Sequence, residues 1–335
     1  MTKEKTPRVL SVLFALMLGL TACHTSADHT SVLEGEPIQT FLQANPSTVE
    51  KPGIASGTPS FPSEEAADEA GNSEIAADSK NNEVSDMPSY NALSDAPSPQ
   101  VTPGLCTLEN FLRTAMLPLG NTMYVWGGGW NEEDTGAGTE ACTIGPSPQW
   151  KDFADRQSAT YDYKETRYQI HNGLDCSGFV GWVIYNTMET ENGKDGFVFK
   201  STEAAKTYAS YGWGEYLPSG SAANWRPGDI ASMKGHVWIC LGTCEDGSVL
   251  LVHSSPPGVR LCGTLKAGKD SDAVKLAEEL MREHAPDWYQ RFPDCSVAET
   301  YLTASGQMRW KEETMPDCAG IQSMTAEEIA DFLFP

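Results

Sequence analysis

The pattern of apolar and polar residues predicts a helix that begins beside a cysteine. Apolar residues recur at helical spacing over residues 179–184. Asp175 is a good N-cap residue directly before Cys176, and Gly173 allows a sharp turn ahead of it. The pattern therefore predicts an amphipathic helix with Cys176 in its first turn. Gly178 is expected to keep the surface beside the sulfur open.

A thiol in the first turn of a helix is exposed to unpaired N–H groups and to the positive end of the helix dipole. Both favour the thiolate, which is the nucleophilic form of cysteine. A buried structural cysteine on a core helix is the alternative, because cysteine is often buried. The helix pattern alone leaves both interpretations open.

Beyond this helix the pattern becomes strand-like. Thr107 is expected to cap an earlier helix, and Glu203 begins a short one. Asp246-Gly247 is a hairpin turn signal between two β-rich runs. The predicted strands are 229–233, 235–242, 249–253 and 258–262, and helical stretches follow at 273–283 and 325–333. A helix followed by a small antiparallel sheet predicts an α+β domain with a C-terminal helical extension.

Two histidines mark the ends of the predicted hairpin. His236 opens its first arm and His253 closes its second, so antiparallel pairing can bring them side by side. One imidazole can then accept the proton of Cys176 while the second orients the first. Two structural histidines are the alternative, but a helix-start cysteine in the same chain favours a catalytic set.

The N-terminus predicts export. Basic residues precede an apolar run over residues 9–22 that is too short to span a bilayer comfortably. The run ends in Leu20-Thr21-Ala22-Cys23, which resembles a bacterial lipobox. We therefore expect a signal peptide over residues 1–23, lipidation at Cys23 and a protein anchored to the outer face of the bacterial cell membrane. An ordinary signal peptide with a chance cysteine is the alternative.

Composition predicts a disordered acidic linker over residues 24–105. It contains 13 acidic residues and two lysines and shows no apolar period. The whole chain carries a formal net charge of −23. That charge disfavours nucleic acid as a ligand, and it leaves the lipid anchor as the expected contact with the membrane. Residues 106–335 are long enough for one domain.

Five strings in order carry a family resemblance: Y-V-W-G-G (124–128), G-L-D-C-S-G-F (173–179), R-P-G-D (226–229), G-H-V-W-I-C-L-G (235–242) and V-L-L-V-H-S-S (249–255). They resemble the NlpC/p60 cysteine peptidases, which are papain-like bacterial wall hydrolases. The resemblance covers residues 105–264, so residues 106–264 are expected to form the catalytic core and 265–335 an extension. It implies a papain-like fold in which the catalytic helix packs on the sheet.

The resemblance also implies roles for single residues. Cys176 would be the nucleophile, His236 the general base and His253 the third polar residue that fixes the imidazole. The reaction implied is hydrolysis of the γ-D-glutamyl–diamino acid bond in peptidoglycan stem peptides, with no metal or cofactor. The backbone N–H of Cys176 would serve the oxyanion.

Three further residues carry expected substrate contacts by the same resemblance. Tyr124 would lie near the oxyanion and the substrate amine, and Asp175 and Ser177 would bind the free amino group of the stem peptide. A helix N-cap role is the alternative for Asp175. Two other functions also remain open: a related CHAP-type amidase or cross-bridge peptidase, and a non-catalytic wall-binding lipoprotein.

The chain departs from the family pattern in a long insertion. Residues 131–170 are expected to form a lid or groove wall, or to pack on the domain. The aromatic residues concerned are Trp150, Tyr161, Tyr163 and Tyr168. His171 is expected to be a solvated loop residue, although it lies close enough in sequence to reach the site.

The remaining cysteines predict disulfides or buried thiols. Apart from Cys23 and Cys176 there are seven, and an exported compartment permits disulfides. No C-x-x-C spacing occurs, so a zinc site is the weaker alternative.

Overall fold

The computed structural model describes residues 101–188 and 196–335. The predicted signal peptide, Cys23 and nearly all of the predicted linker lie outside the described residues. In the described ranges, no helix is both long enough and apolar enough to cross a membrane.

Helices occur throughout the described chain. Two predicted caps are confirmed: Thr107 Oγ1 accepts from Asn110 N at 3.2 Å, and Thr325 forms a capping box with Glu328. The helices are α1 (Leu108–Met116), α2 (Pro148–Asp155), α3 (Cys176–Met188), α4 (Ala204–Ser210), α5 (Asp272–His284), α6 (Pro286–Arg291), α7 (Thr300–Ala304) and α8 (Ala326–Leu333).

In the part of the chain that the structure describes, the strands form a single seven-stranded sheet. They are β1 (Gly214–Leu217), β2 (Ile230–Met233), β3 (His236–Thr243), β4 (Val249–Ser255), β5 (Gly258–Thr264), β6 (Ser296–Val297) and β7 (Gly306–Trp310). Their order is β1-β7-β2-β3-β4-β5-β6, and only the β5–β6 pair is parallel. The α+β class is confirmed, and β2 to β5 match the predicted strands within two residues at each end. The sheet is larger than predicted.

The C-terminal extension is helical in part, but it also supplies strands β6 and β7. The sequence pattern missed both. Strand β7 lies between β1 and β2 and pairs with each in the antiparallel sense. The extension therefore completes the sheet and is not an addition outside a finished core.

A buried ion pair joins the extension to the R-P-G-D turn. The Asp229 side chain accepts from Arg226 N at 2.8 Å, and Arg309 of β7 donates to it at 2.7 and 2.9 Å. Gln307 of β7 is a further donor to the same carboxylate. Asp229 is 1% exposed, so these donors replace the water that the carboxylate loses on folding.

The pattern predicted an amphipathic helix at α3, and this prediction is wrong. The helix is buried on all sides. Eleven of its 13 residues are buried, so it has no solvent-facing stripe. Strands β3 and β4 contact it, as do α1 and a 3₁₀ turn at Thr139–Cys142. Trp150 of the insertion packs edge-on against Trp182, with ring centroids 5.7 Å apart. The insertion also reaches the polar side of the helix, because Asn186 Oδ1 accepts from Gly145 N at 2.6 Å.

The insertion packs on the domain, which was one of its two predicted roles. Trp150 is buried, and the Tyr161 hydroxyl donates to the Tyr124 carbonyl at 2.7 Å. The Tyr163 ring meets the Tyr124 ring edge-on, with centroids 5.4 Å apart. Tyr168 differs, since 65% of it is exposed.

Candidate active site

A glycine-rich loop holds the start of α3. Leu174 N donates to Met123 O at 3.2 Å, and Asp175 N donates to Gly128 O at 2.9 Å. From the sheet, Ser254 Oγ donates to Leu174 O at 2.6 Å. The backbone leading into Cys176 is therefore fixed both by the loop and by strand β4.

Three glycines allow this close approach. A Cβ on Gly178 would overlap the carbonyl oxygen of Gly128, and a Cβ on Gly129 would lie 2.5 Å from the Gly178 Cα. Gly129 also has a φ of +91°, which side chains rarely adopt. The sequence suggested that Gly178 keeps a surface open beside the sulfur, and the structure contradicts this. It allows the loop to pack on the first turn of α3.

Asp175 caps α3, as its position predicted. Its Oδ1 accepts from Gly178 N at 2.7 Å and from Ser177 Oγ at 2.8 Å. Ser177 Oγ in turn accepts from Trp130 Nε1 at 3.0 Å. Burial raises the pKa of Asp175 to about 6, although these hydrogen bonds oppose the rise. Asp175 and Ser177 thus have structural partners, and their expected contacts with a substrate amine stay predictions.

The Cys176 sulfur rests against the start of β3. The thiol lies 4.0 Å from Gly235 O, and the Val237 N–H also bonds to the sulfur. These two backbone groups flank His236. Cys176 is 5% exposed, and burial raises the pKa of its thiol to about 12, with a smaller contribution from Asp175. The expectation that the helix end favours thiolate is therefore wrong for this state, because desolvation outweighs the nearby N–H groups.

The two predicted histidines form a hydrogen-bonded pair. His236 Nε2 lies 2.9 Å from His253 Nδ1, and the two residues are 8% and 0% exposed. Because Nε2 makes this contact, Nδ1 is the ring nitrogen of His236 that is not engaged by His253. Burial, with a smaller contribution from Arg260, lowers the pKa of His236 to about 3. The pair is neutral at pH 7, as a resting general base must be.

Tyr124, another predicted site residue, also lies near the Cys176 thiol. It is 8% exposed, and its backbone N–H donates to Pro257 O at 2.8 Å. Burial raises the pKa of its hydroxyl, and the charges of Cys176 and Asp175 add to this effect. The hydroxyl therefore stays protonated and lies within electrostatic reach of the sulfur.

Sequence reasoning missed two residues of the site, Arg260 and Tyr301. Arg260 is directly opposite His253 on β5 and is 6% exposed. One of its terminal nitrogens donates to Ser255 O at 3.0 Å and to Pro256 O at 2.6 Å. The hairpin register across the Pro-Pro turn could have indicated Arg260. No local signal marked Tyr301, which lies 48 positions after His253 in the extension.

The other candidates lie apart from this set. His171 pairs with Glu140, and its side chain is 60% exposed, so the predicted solvated histidine is confirmed. Cys240, Cys244, Cys262 and Cys295 are buried thiols. Across residues 101–188 and 196–335, no group of three or more His, Cys, Asp or Glu side chains comes together as a metal site.

The buried histidines predict a loss of stability in acid. The unfolded chain binds a proton at His236 below pH 6.5, whereas the folded state binds it only near pH 3. Stability therefore falls as pH drops below 6.5, and His236 alone costs about 2 kcal/mol between pH 6.5 and 4.5. His253 acts in the same direction, because its pKa is also lowered. Asp175 opposes them below pH 6, because its folded pKa is raised.

Urea unfolding at pH 7.0 and 4.5 measures this loss. The His236→Gln variant should lose about 2 kcal/mol less than the parent between these pH values. Asp175→Asn should lose more than the parent, because the opposing group is removed. Equal losses in the parent and the His236→Gln variant would contradict the buried neutral pair.

Comparison with protein-family models, with curated proteins and with solved structures found no match for this chain.

Proposed function

We propose that this protein is a cysteine endopeptidase that cleaves peptidoglycan stem peptides. One observation carries the proposal: the thiol that begins α3 rests against the backbone on both sides of His236, whose ring is hydrogen-bonded to His253. A helix-start thiol, an imidazole on the adjoining strand and a second imidazole bonded to the first are the groups that thiol catalysis uses. The NlpC/p60 resemblance and its papain-like fold supply the substrate class.

The resting site holds a neutral thiol and a neutral imidazole. As the sulfur attacks the scissile carbonyl carbon, the thiol proton passes to His236 Nδ1, and the Nε2–H donates to His253 Nδ1. The imidazolium then gives its proton to the leaving amine, and the C–N bond breaks. Water hydrolyses the thioester and restores the thiol. Proton transfer accompanies attack because burial disfavours a free thiolate.

The start of α3 can stabilise the charge that develops on the substrate oxygen. The N–H groups of the first turn have no partner within the helix, and they point toward the end where the sulfur lies. The Cys176 N–H is the nearest of them, and Tyr124 adds a protonated hydroxyl in the same region. Preorganised donors of this kind typically contribute about 3 kcal/mol to catalysis.

The proposed location is the outer face of the bacterial cell membrane, with a lipid on Cys23. A tether of residues 24–105 would let the domain sample the wall above the membrane. Palmitate labelling of the parent and of the Cys23→Ala variant tests this location. Undiminished label in the variant would refute the anchor.

Digestion of purified peptidoglycan by the full-length protein tests the function. Mass analysis of the products identifies the new termini, and Cys176→Ala serves as the matched control. A newly free amine on the diamino acid, absent with Cys176→Ala, would support the proposal. A released lactyl carboxyl would instead indicate the amidase. Equal digestion by the parent and the variant would exclude hydrolysis by this site.

A further inference from the structure

The extension places an aromatic ring on the histidine pair. The Tyr301 ring centroid lies 5.5 Å from that of His236 and 6.4 Å from that of His253. Its plane makes angles of 58° and 63° with the two imidazoles. One side chain therefore touches both members of the proposed base and orienting pair.

Tyr301 lies on the face of the sheet opposite α3. Val237 and Ile239 point into the core that contains α3, whereas Trp238 packs in a second cluster with Tyr301 and Leu302. The Tyr301 ring also packs on Trp238, with centroids 6.3 Å apart. Tyr301 thus covers a face that the predicted core, residues 106–264, would leave open.

Short polar contacts fix α7 at this position. Before the helix, Ala267 N donates to the Glu299 carboxylate at 3.0 Å. At its C-terminal end, Gly220 N donates to Thr303 O at 3.1 Å, and Trp238 Nε1 donates to Ser305 Oγ at 3.1 Å. These partners come from three separate parts of the chain, so the ring is held in place from both ends of α7.

We infer that Tyr301 is a positioning residue of the site, which holds the His236 ring in its contact with His253 and shields that contact from water. The inference rests on the proposed function. It gives the extension a role in the chemistry of a site whose other residues all precede it. Tyr301 acts through the imidazoles, because its ring packs directly on both of them.

Apart from Tyr301, the titratable groups around the pair come from two elements. Cys176 is on α3, and Arg260 and Cys262 are on β5, where the charge of Arg260 acts to lower the pKa of Cys262 against the effect of burial. Tyr301 itself is neutral at pH 7, because burial raises the pKa of its hydroxyl to about 12. No carboxylate faces the pair among these groups. Removing the ring should therefore admit water and move the pKa of His236 back up toward 6.5.

Three variants of the full chain test the inference. Tyr301→Ala removes the ring, and Tyr301→Phe removes only the hydroxyl. Leu302→Ala is the matched control, because Leu302 packs in the same cluster from the same helix but carries no ring. Thermal unfolding first establishes that each variant is folded at the assay temperature.

We expect Tyr301→Ala to lower kcat by about 10- to 100-fold with KM within about twofold, because the base is misplaced and the substrate contacts remain. The acid limb of its pH profile should move up by about one pH unit. Tyr301→Phe and Leu302→Ala should keep the parental profile. A parental kcat and pH profile in folded Tyr301→Ala would overturn the inference.

A substrate-free measurement separates this inference from the proposed function. Imidazole NMR follows the titration of His236 in each variant, whether or not the protein cleaves peptidoglycan. An upward shift of that titration in Tyr301→Ala alone supports the inference even if the wall digest fails. Identical titrations in Tyr301→Ala and the parent refute it even if the digest succeeds.

Discussion

Peptidoglycan hydrolysis should fall by at least about 10³-fold when Cys176 is replaced by serine. A serine hydroxyl is a poorer nucleophile than a thiol, and a neutral imidazole pair cannot activate it as well. Alanine at His236 should cause a loss of similar size, because it removes the proposed general base. Release of soluble muropeptides from purified wall, followed over time, measures both effects.

The combination of the two changes is more informative than either one. Residues that act as a unit are strongly non-additive, so the double variant should be about as inactive as Cys176→Ser alone. His171→Ala is the matched control, because this histidine lies on an exposed loop and pairs with Glu140. It should keep full activity. Additive losses, or a large loss from His171→Ala, would mean that the chemistry resides elsewhere.

Alanine at Asp229 should lower the free energy of unfolding by about 3–5 kcal/mol, because it leaves Arg309 without its partner in a mostly buried position. Burial raises the pKa of Asp229, while Arg309 and the turn N–H groups oppose that rise. The Asp229–Arg309 pair therefore stabilises the fold mainly because each charge compensates for the water that the other has lost. Urea unfolding at pH 7 measures the difference.

Asp155→Ala provides the comparison. Asp155 also forms an ion pair, with Lys151, but both of its members are more than half exposed. An exposed pair of this kind contributes about 0–1 kcal/mol, so the change in stability should be small. Similar losses from the two aspartate variants would show that burial does not govern the strength of the Asp229–Arg309 pair.

The hairpin and its histidines were predictable because local rules determine them. Asp246-Gly247 is a turn signal, and strict alternation along β3 and β4 decides which residues share a face. The turn then places His236 and His253 toward the open end of the hairpin, but a register shift between Cys240 and Gly242, which no local rule indicates, also decides how they pair. The same logic extends to Arg260, because the next turn places it opposite His253.

Other features depend on contacts between distant segments, which a local pattern does not encode. The apolar spacing of α3 fits a surface helix, but the insertion and α1 cover its remaining faces. The thiol pKa follows from that burial and not from the helix end alone. Strand β7 has the sequence Gly-Gln-Met-Arg-Trp, with no β-branched residue, and only its place between β1 and β2 makes it a strand.

The position of β7 also bears on when this domain can fold. The strand comes late in the chain, yet it fills an interior place in the sheet. A nascent chain that still lacks residues 306–335 would expose the unpaired edges of β1 and β2. Unpaired strand edges promote aggregation. Productive folding must therefore wait until β7 has been synthesised, and chains truncated before residue 306 should fail by misassembly even when every proposed catalytic residue is present.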